Sequence, residues 1–321
     1  MSESDKQSEQ RGDMGWERKL IERIALESVT EQRRRRRWGI FFRLVGFAYL
    51  GVLAFALVDW GALFSQAEHK KHTALVELTG VIAPNGEASA DRVISSLQSA
   101  FDDKNTQGVI LKINSPGGSP VQSGIINDEI RRLRGLYPDT PIYAVVEDIC
   151  ASGGYYVAVA TDRIYVDKAS IVGSIGVLMD GFGFTGLMDK LGVERRLLTA
   201  GENKGFLDPF SPQDERQKLH AKQLLGDVHQ QFIDVVRQGR GERLKESPDM
   251  FSGLMWTGSR SIEMGLADDL GSVEYVAREV VKAADIVDFT QRQNIAERFA
   301  KQFGANFGES VAGALSRVGM R

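Results

Sequence analysis

The sequence predicts an α/β domain held behind a single N-terminal transmembrane helix, and three observations predict it. From Thr73 onward, segments with strand periodicity alternate with segments of helical spacing. Two glycine-rich turns, Asn114 to Ser119 and Ala151 to Tyr156, each fall between a strand pattern and a helix pattern. An apolar run follows five consecutive arginines, Arg33 to Arg37. Alternating strands and helices bury a sheet under helices, which is the α/β arrangement.

Residues 1–37 are polar and charged and read as a cytoplasmic basic tail. The uncharged run from Leu44 to Val58 has 15 residues, about 22 Å as a helix, which is short of a bilayer core of about 30 Å. Adding Trp38 to Phe42 gives a span over 38–58 of 21 residues, about 31 Å, with Arg43 near enough to its end to snorkel. The positive-inside rule then keeps the arginines in the cytoplasm and carries everything after Asp59 across the inner membrane. A cleaved leader is the competing reading, because Ser65-Gln66-Ala67 resembles a small-residue cleavage site. The length of the polar and apolar segments weighs against it.

Residues 59–73 form a polar linker, and the domain is expected over 74–283. Ala74 to Ile82 alternates as a half-buried strand, and Ala90 to Phe101 places Val93, Ile94, Leu97 and Phe101 at helical spacing. Val109 to Ile113 leads through the first glycine turn into a helix carrying Ile125, Ile126, Ile130 and Leu133. Ile142 to Val146 leads through the second turn into another apolar helical stretch. Further strands are expected near Arg163 to Val166, Gly176 to Met179 and Glu194 to Thr199, with a long helix from about Gln213 to Arg237. In the tail, 284–321, Phe299, Phe303, Phe307, Val311 and Leu315 recur at fourfold spacing. That pattern reads as an amphipathic helix packing on the domain, a neighbour or the membrane.

Composition excludes several functions. With 321 residues, 42% apolar and 26% charged, the chain buries one sizeable core or two small ones. The net charge is only −3 and the basic residues are not gathered on the domain, so nucleic acid is not expected as a partner. A lone cysteine, Cys150, precludes an intrachain disulfide, and His69, His72, His220 and His229 show no metal-ligand spacing. Neither a metal nor another cofactor is expected.

A glycine-rich turn between strand and helix exposes amide N–H groups that can hold either a phosphate or an oxyanion. Neither turn carries the remaining residues of a nucleotide-binding fingerprint. Ser152, between a strand end and a helix start and followed by two glycines, is placed as a serine nucleophile often is. A helix cap is the alternative role. The histidines lie in the linker or on the late helix, so a serine-histidine pair would require distant folding. Lys204, in Gly201-Glu202-Asn203-Lys204-Gly205 beside Phe206 and Leu207, is either a base or an ordinary loop lysine. A solvated lysine, with a pKa near 10.4, is neutral only about 0.04% of the time at pH 7, so a lysine base needs apolar cover.

These residues resemble the signal peptide peptidase A family of serine-lysine peptidases, in its short single-domain form. The likeness covers about residues 74–283. It rests on the strand and turn Gly108 to Gly118, on Ala151 to Tyr156, on Gly173 to Val177 and on Gly201 to Lys204. The resemblance implies that Ser152 is the nucleophile, Lys204 the general base, Ser174 the hydroxyl that orients the lysine, and Gly117 an oxyanion-hole donor. The amide of Gly153 is added here as a second donor. The resemblance also implies the strand-strand-helix units shared with Clp-type peptidases and crotonases, and hydrophobic peptides such as cleaved signal peptides as substrates. A homo-oligomer is implied too, in which Ser152 of one protomer meets Lys204 of a neighbour, because longer relatives draw the two residues from different halves of one chain.

Other residues have plainer explanations. Cys150 reads as a small buried side chain, Glu147 and Asp148 as solvent-facing carboxylates, and Tyr155 and Tyr156 as packing behind the serine. Two other functions are compatible with the pattern: a crotonase-like acyl-CoA enzyme, and a catalytically silent membrane scaffold that keeps the fold.

Overall fold

The computed structural model describes residues 34, 36–53, 55 and 70–292. The chain divides into two units, Met1–Ala67 and Glu68–Arg321. In the first unit residues 36–53 are helical. The rings of Trp38, Phe41 and Phe42 meet at 5.6–5.7 Å, and Phe47 and Val52 are exposed. Among the described residues no helix is long and apolar enough to cross a membrane. The span expected over 38–58 includes residues 54 and 56–58, which lie outside them.

The second unit is an α/β sheet with helices. Its strands are β1 (His72–Thr79), β2 (Thr106–Ser115), β3 (Ile142–Ala151), β4 (Arg163–Val166), β5 (Ile171–Gly173), β6 (Met255–Thr257), β7 (Asp269–Leu270) and β8 (Ile286–Asp288). The order β6-β5-β3-β2-β1-β8 forms the main path, with β4 beside β3 and β7 beside β4. Every pairing is parallel except β5 with β6. A parallel sheet is covered on both faces, which is why its central strands are apolar runs and not alternations. Val109, Ile110 and Leu111 are accordingly all fully buried.

Helices α1 (Ala90–Asp102), α2 (Pro120–Leu136), α3 (Gly153–Ala158) and α5 (Glu215–Arg240) each contribute to the core, and α4 (Thr185–Leu191) lies on an outlying segment. Local side chains mark where two of these begin. Ser119 accepts the Gln122 amide, with Pro120 in the first turn of α2. Asp214 accepts the amides of Arg216 and Gln217 at the start of α5. The larger core, which includes Leu97, Ile126, Ile130, Tyr155 and Phe232, joins helices to sheet. A smaller one, Ile110, Val145, Tyr165, Val276 and Ala277, lies under the π-helical turn Val276–Val281.

Four expectations are corrected. β1 begins at His72, two residues inside the expected linker, and β8 extends the sheet past residue 283 by pairing with β1. Gly176 to Met179 is not a strand: the edge strand is β5, three residues earlier, and its partner β6 ends the ladder by running antiparallel. Glu194 to Thr199 is an exposed loop with no strand partner, in a segment where Leu198 is 95% exposed. None of the sheet's pairings includes it. The tail helix expected around Phe299 to Leu315 lies outside the described residues.

Candidate active site

The long strand β3 shapes the site. Its first half pairs with β4 and its last three residues with β5, after a register shift between Ile113 and Ser115 of β2. The strand therefore ends at Ala151 against Gly173, with Ser152 on the turn into α3. Ser152 adopts φ 51°, ψ −122°, a conformation that costs an L-residue about 1–3 kcal/mol. Two backbone hydrogen bonds hold it there: Ser152 N–H donates to Gly173 O (2.8 Å), and Tyr156 N–H donates to Ser152 O (2.9 Å). Its side chain makes no capping hydrogen bond, so the helix-cap role is not the one it plays.

Glycines are required around this serine by close approach. A Cβ on Gly153 would lie 2.4 Å from Ser123 Oγ, and one on Gly117 would lie 2.6 Å from the Gly153 nitrogen. Ser174 also has a positive φ, 52°, fixed by its N–H to Leu254 O (2.7 Å) and by Gly176 N–H to its own carbonyl (2.9 Å).

A cleft of about 830 Å³ opens over this turn, with Ser152, Gly153, Ser174 and Gly118 on its lining. Val121 and Ile125 of α2 and Val228 and Phe232 of α5 give it apolar sides. Tyr156 packs its ring 5.1 Å from that of Phe232 and completes the wall behind the serine. Tyr155, by contrast, is wholly buried and donates its hydroxyl to Leu266 O (2.8 Å). A larger cavity, about 1140 Å³, is lined by Lys112, Glu147, Asp148 and Glu274. Its two serine hydroxyls are committed, Ser170 to Glu147 O and Ser272 to Glu274 Oε2, so it presents no comparable nucleophile.

The structure brings Ser152, Gly153 and Ser174 to one cleft, and it does not bring Lys204 there. Lys204 is exposed on a turn closed by its own N–H to Gly201 O (3.1 Å). That turn belongs to an outlying segment held by Phe184 stacked on Phe210 (5.3 Å) and by Arg195 against Asp208 (3.3 Å). Phe206 packs on His220 (5.6 Å) and not over the lysine. His229 of α5 reaches the site loop, but its Nε2 lies 3.2 Å from Ile175 O. A carbonyl only accepts, so that nitrogen carries the proton and offers no lone pair to Ser152.

The amide expected to hold an oxyanion, that of Gly117, is already engaged. The Gly117 N–H donates to Ser115 Oγ (3.1 Å), which in turn donates to Gly80 O (2.6 Å). Gly117 O and Ser119 N–H are both taken by Ile82, each at 2.9 Å. The trans peptide sets the Gly118 N–H opposite the Gly117 carbonyl that Ile82 takes, and Gly118 lines the cleft. The signal for Gly118 is present in Gly117-Gly118, but the sequence does not say which amide turns inward.

The remaining conspicuous side chains behave simply. Cys150 is fully buried, and burial pushes its thiol pKa up. Glu147 and Asp148 are exposed, though on β3 and not in a loop; Glu147 faces Lys112 (3.4 Å) and Asp148 accepts from Asn114 Nδ2 (3.1 Å). No group of His, Cys, Asp and Glu able to hold a metal occurs among the described residues.

An α/β domain with a serine on a strained strand-to-helix turn, facing a second glycine turn, defines a class built to present a hydroxyl to a substrate. Comparison narrows the class. Residues 137–287 match peptidase family S49. A putative signal peptide peptidase of Enterococcus faecium is 30% identical over 70% of this chain and 67% of its own, and a putative protease of Synechocystis is 31% identical over 64% and 72%. The chain belongs to family S49, the signal peptide peptidase A family. A protein of Brucella abortus named Na(+)/H(+) antiporter NhaA is 44% identical over 64% of this chain, which spans 28% of that protein's length.

Proposed function

We propose that the chain is a membrane-anchored serine endopeptidase that hydrolyses hydrophobic peptides, cleaved signal peptides among them, with Ser152 as nucleophile and Lys204 as general base. The observation that carries this reading is Ser152 itself: a strained serine with no capping bond, at the floor of an apolar-walled cleft. Attack by Ser152 Oγ on the scissile carbonyl passes its proton to the neutral lysine amine, which then protonates the leaving amine. The amides of Gly153 and Gly118 are the donors best disposed to hold the oxyanion, in place of Gly117. Water then releases the acyl-enzyme. Ser174, beside the serine in the cleft, is the hydroxyl that orients the lysine. The fold reading that accompanies this is kinship with Clp-type peptidases and crotonases.

Lys204 of the same protomer stands outside the cleft, and a lysine base needs cover that its exposed turn does not provide. A homo-oligomer answers both needs, with Lys204 of a neighbour meeting Ser152 at the boundary. The outlying segment supports it: Leu178, Phe182 and Leu198 are each at least 80% exposed. The exposed apolar residues of the helix over 36–53 and the arginines before it support a cytoplasmic N-terminus and a catalytic domain outside the cytoplasm.

Ser152→Ala and Lys204→Ala should each abolish hydrolysis while the protein still folds, and a serine-directed phosphonate should label Ser152. Unlabelled Ser152 with intact folding would favour a silent scaffold. Mixing the two variants under subunit exchange should restore about a quarter of the sites if each site takes one residue from each of two neighbours. Recovery of nothing, with exchange confirmed by mass, would place both residues in one protomer.

A further inference from the structure

We infer that the cleft face of α2 forms a subsite for a long cationic side chain of the peptide, lysine or arginine, lying across Gly124 and ending at Asp128. The inference rests on the peptidase reading for its substrate class and adds a determinant of selectivity. Two independent observations carry it.

The first is Gly124. Glycine inside a helix costs about 1 kcal/mol relative to alanine, so its presence in the second turn of α2 calls for a reason. Packing does not supply one: a Cβ at Gly124 would meet nothing within 4 Å. Gly124 lines the cleft, so the space it leaves is space in the cleft. Elsewhere around the serine the glycines are forced by contact, as at Gly117 and Gly153; at Gly124 the room is unfilled by the protein.

The second is Asp128, the only charged side chain among the described residues that line the cleft. It forms no ion pair among the described residues. Arg131, one turn further on, directs its Nε to Asn127 Oδ1 (2.8 Å) and not to Asp128. Gly124 and Asp128 are four positions apart, so they share one face of the helix about 6 Å apart. Val121 and Ile125 flank this track with exposed apolar surface, 69% and 45% exposed. A side chain that packs an aliphatic stem on apolar groups and ends in a cation matches such a track, and lysine and arginine are the side chains built that way.

The experiment uses the full-length protein and a peptide set in which each position near the scissile bond is in turn lysine, norleucine, glutamate or alanine. At one position lysine should exceed norleucine in kcat/KM, and glutamate should be poorest. Asp128→Asn should cut the lysine-to-norleucine ratio about two- to fivefold, the size expected of a partly exposed ion pair, and Asp128→Lys should invert it. Gly124→Val should reduce turnover of lysine and norleucine peptides relative to alanine at that position, while raising the thermal midpoint or leaving it unchanged. A lysine preference absent at every position, or unchanged in Asp128→Asn, overturns the subsite. The same set is measured for binding to the Ser152→Ala protein. Lysine-selective, Asp128-dependent binding without hydrolysis by the wild type would keep the subsite and reject the peptidase reading; hydrolysis without charge selectivity would do the reverse.

Discussion

Ser152 carries strain that the rest of the fold holds in place. At φ 51° a glycine sits without penalty while alanine and serine do not, and the serine side chain makes no capping bond to lose. Ser152→Gly should therefore be more stable than Ser152→Ala by about 1 kcal/mol, a difference of about 2–4 °C in thermal midpoint, although both lack the nucleophile. Equal midpoints would show that the turn relaxes without cost. A second residue-scale feature is Arg240, fully buried, whose guanidinium forks onto Asp268 with two 2.8 Å bonds and donates Nε–H to Gly265 O. Burial alone would raise the Asp268 pKa, but the hydrogen bonds and charge of Arg240, with the Ile164 amide and Arg243, hold it below the ordinary carboxylate value. Because the folded pKa is the lower one, this stabilisation is complete above the unfolded value near 3.9 and drains away as pH falls through the folded value. Arg240→Met should cost about 3 kcal/mol at pH 7, because it leaves the carboxylate only Arg243 and the Ile164 amide, and less at pH 3. Denaturant titration at the two pH values reads the difference.

At the scale of elements, the helix contacts are set by glycines as much as by apolar side chains. A Cβ on Gly239 of α5 would lie 2.2 Å from the carbonyl of Val159, just past α3, so the two helices meet backbone to backbone there. Gly239→Ala should push α5 away, cost about 1–3 kcal/mol, and weaken activity as well as stability, because α5 carries Val228 and Phe232 into the cleft. Normal turnover in a destabilised variant would show that the cleft tolerates the shift. Elements like these are largely legible in sequence: α1, α2, β4 and α5 fall within a few residues of expectation because apolar periodicity marks them locally, and the structure adds the caps Ser119 and Asp214 at the starts of α2 and α5. The misread stretches, Gly176 to Met179 and Glu194 to Thr199, carry strand-like patterns whose outcome depends on whether a sheet edge is available, and no local pattern encodes that. The same limit applies to the site. Ser152 and its glycines announce themselves, whereas the engagement of the Gly117 amide by Ser115, and the exposure of Lys204 on a segment that folds out, do not.

For the whole molecule, the boundary expected at residue 283 would cut the sheet. Beyond it, Ile286 to Asp288 pair with β1, and Glu77 N–H donates to Thr290 Oγ1 (3.0 Å). A chain ending at residue 283 should unfold at a lower denaturant midpoint and associate through the bared edge of β1; a midpoint unchanged would make β8 an ornament of the sheet. The closing strand also sets a clock. Glu77 and Thr290 are 213 positions apart, so at synthesis rates of about 5–20 residues per second roughly 10–40 s separate the emergence of β1 from that of its outer neighbour. Throughout that interval a long strand waits with one side unpaired, and the newborn chain depends on whatever shelters that edge until β8 arrives.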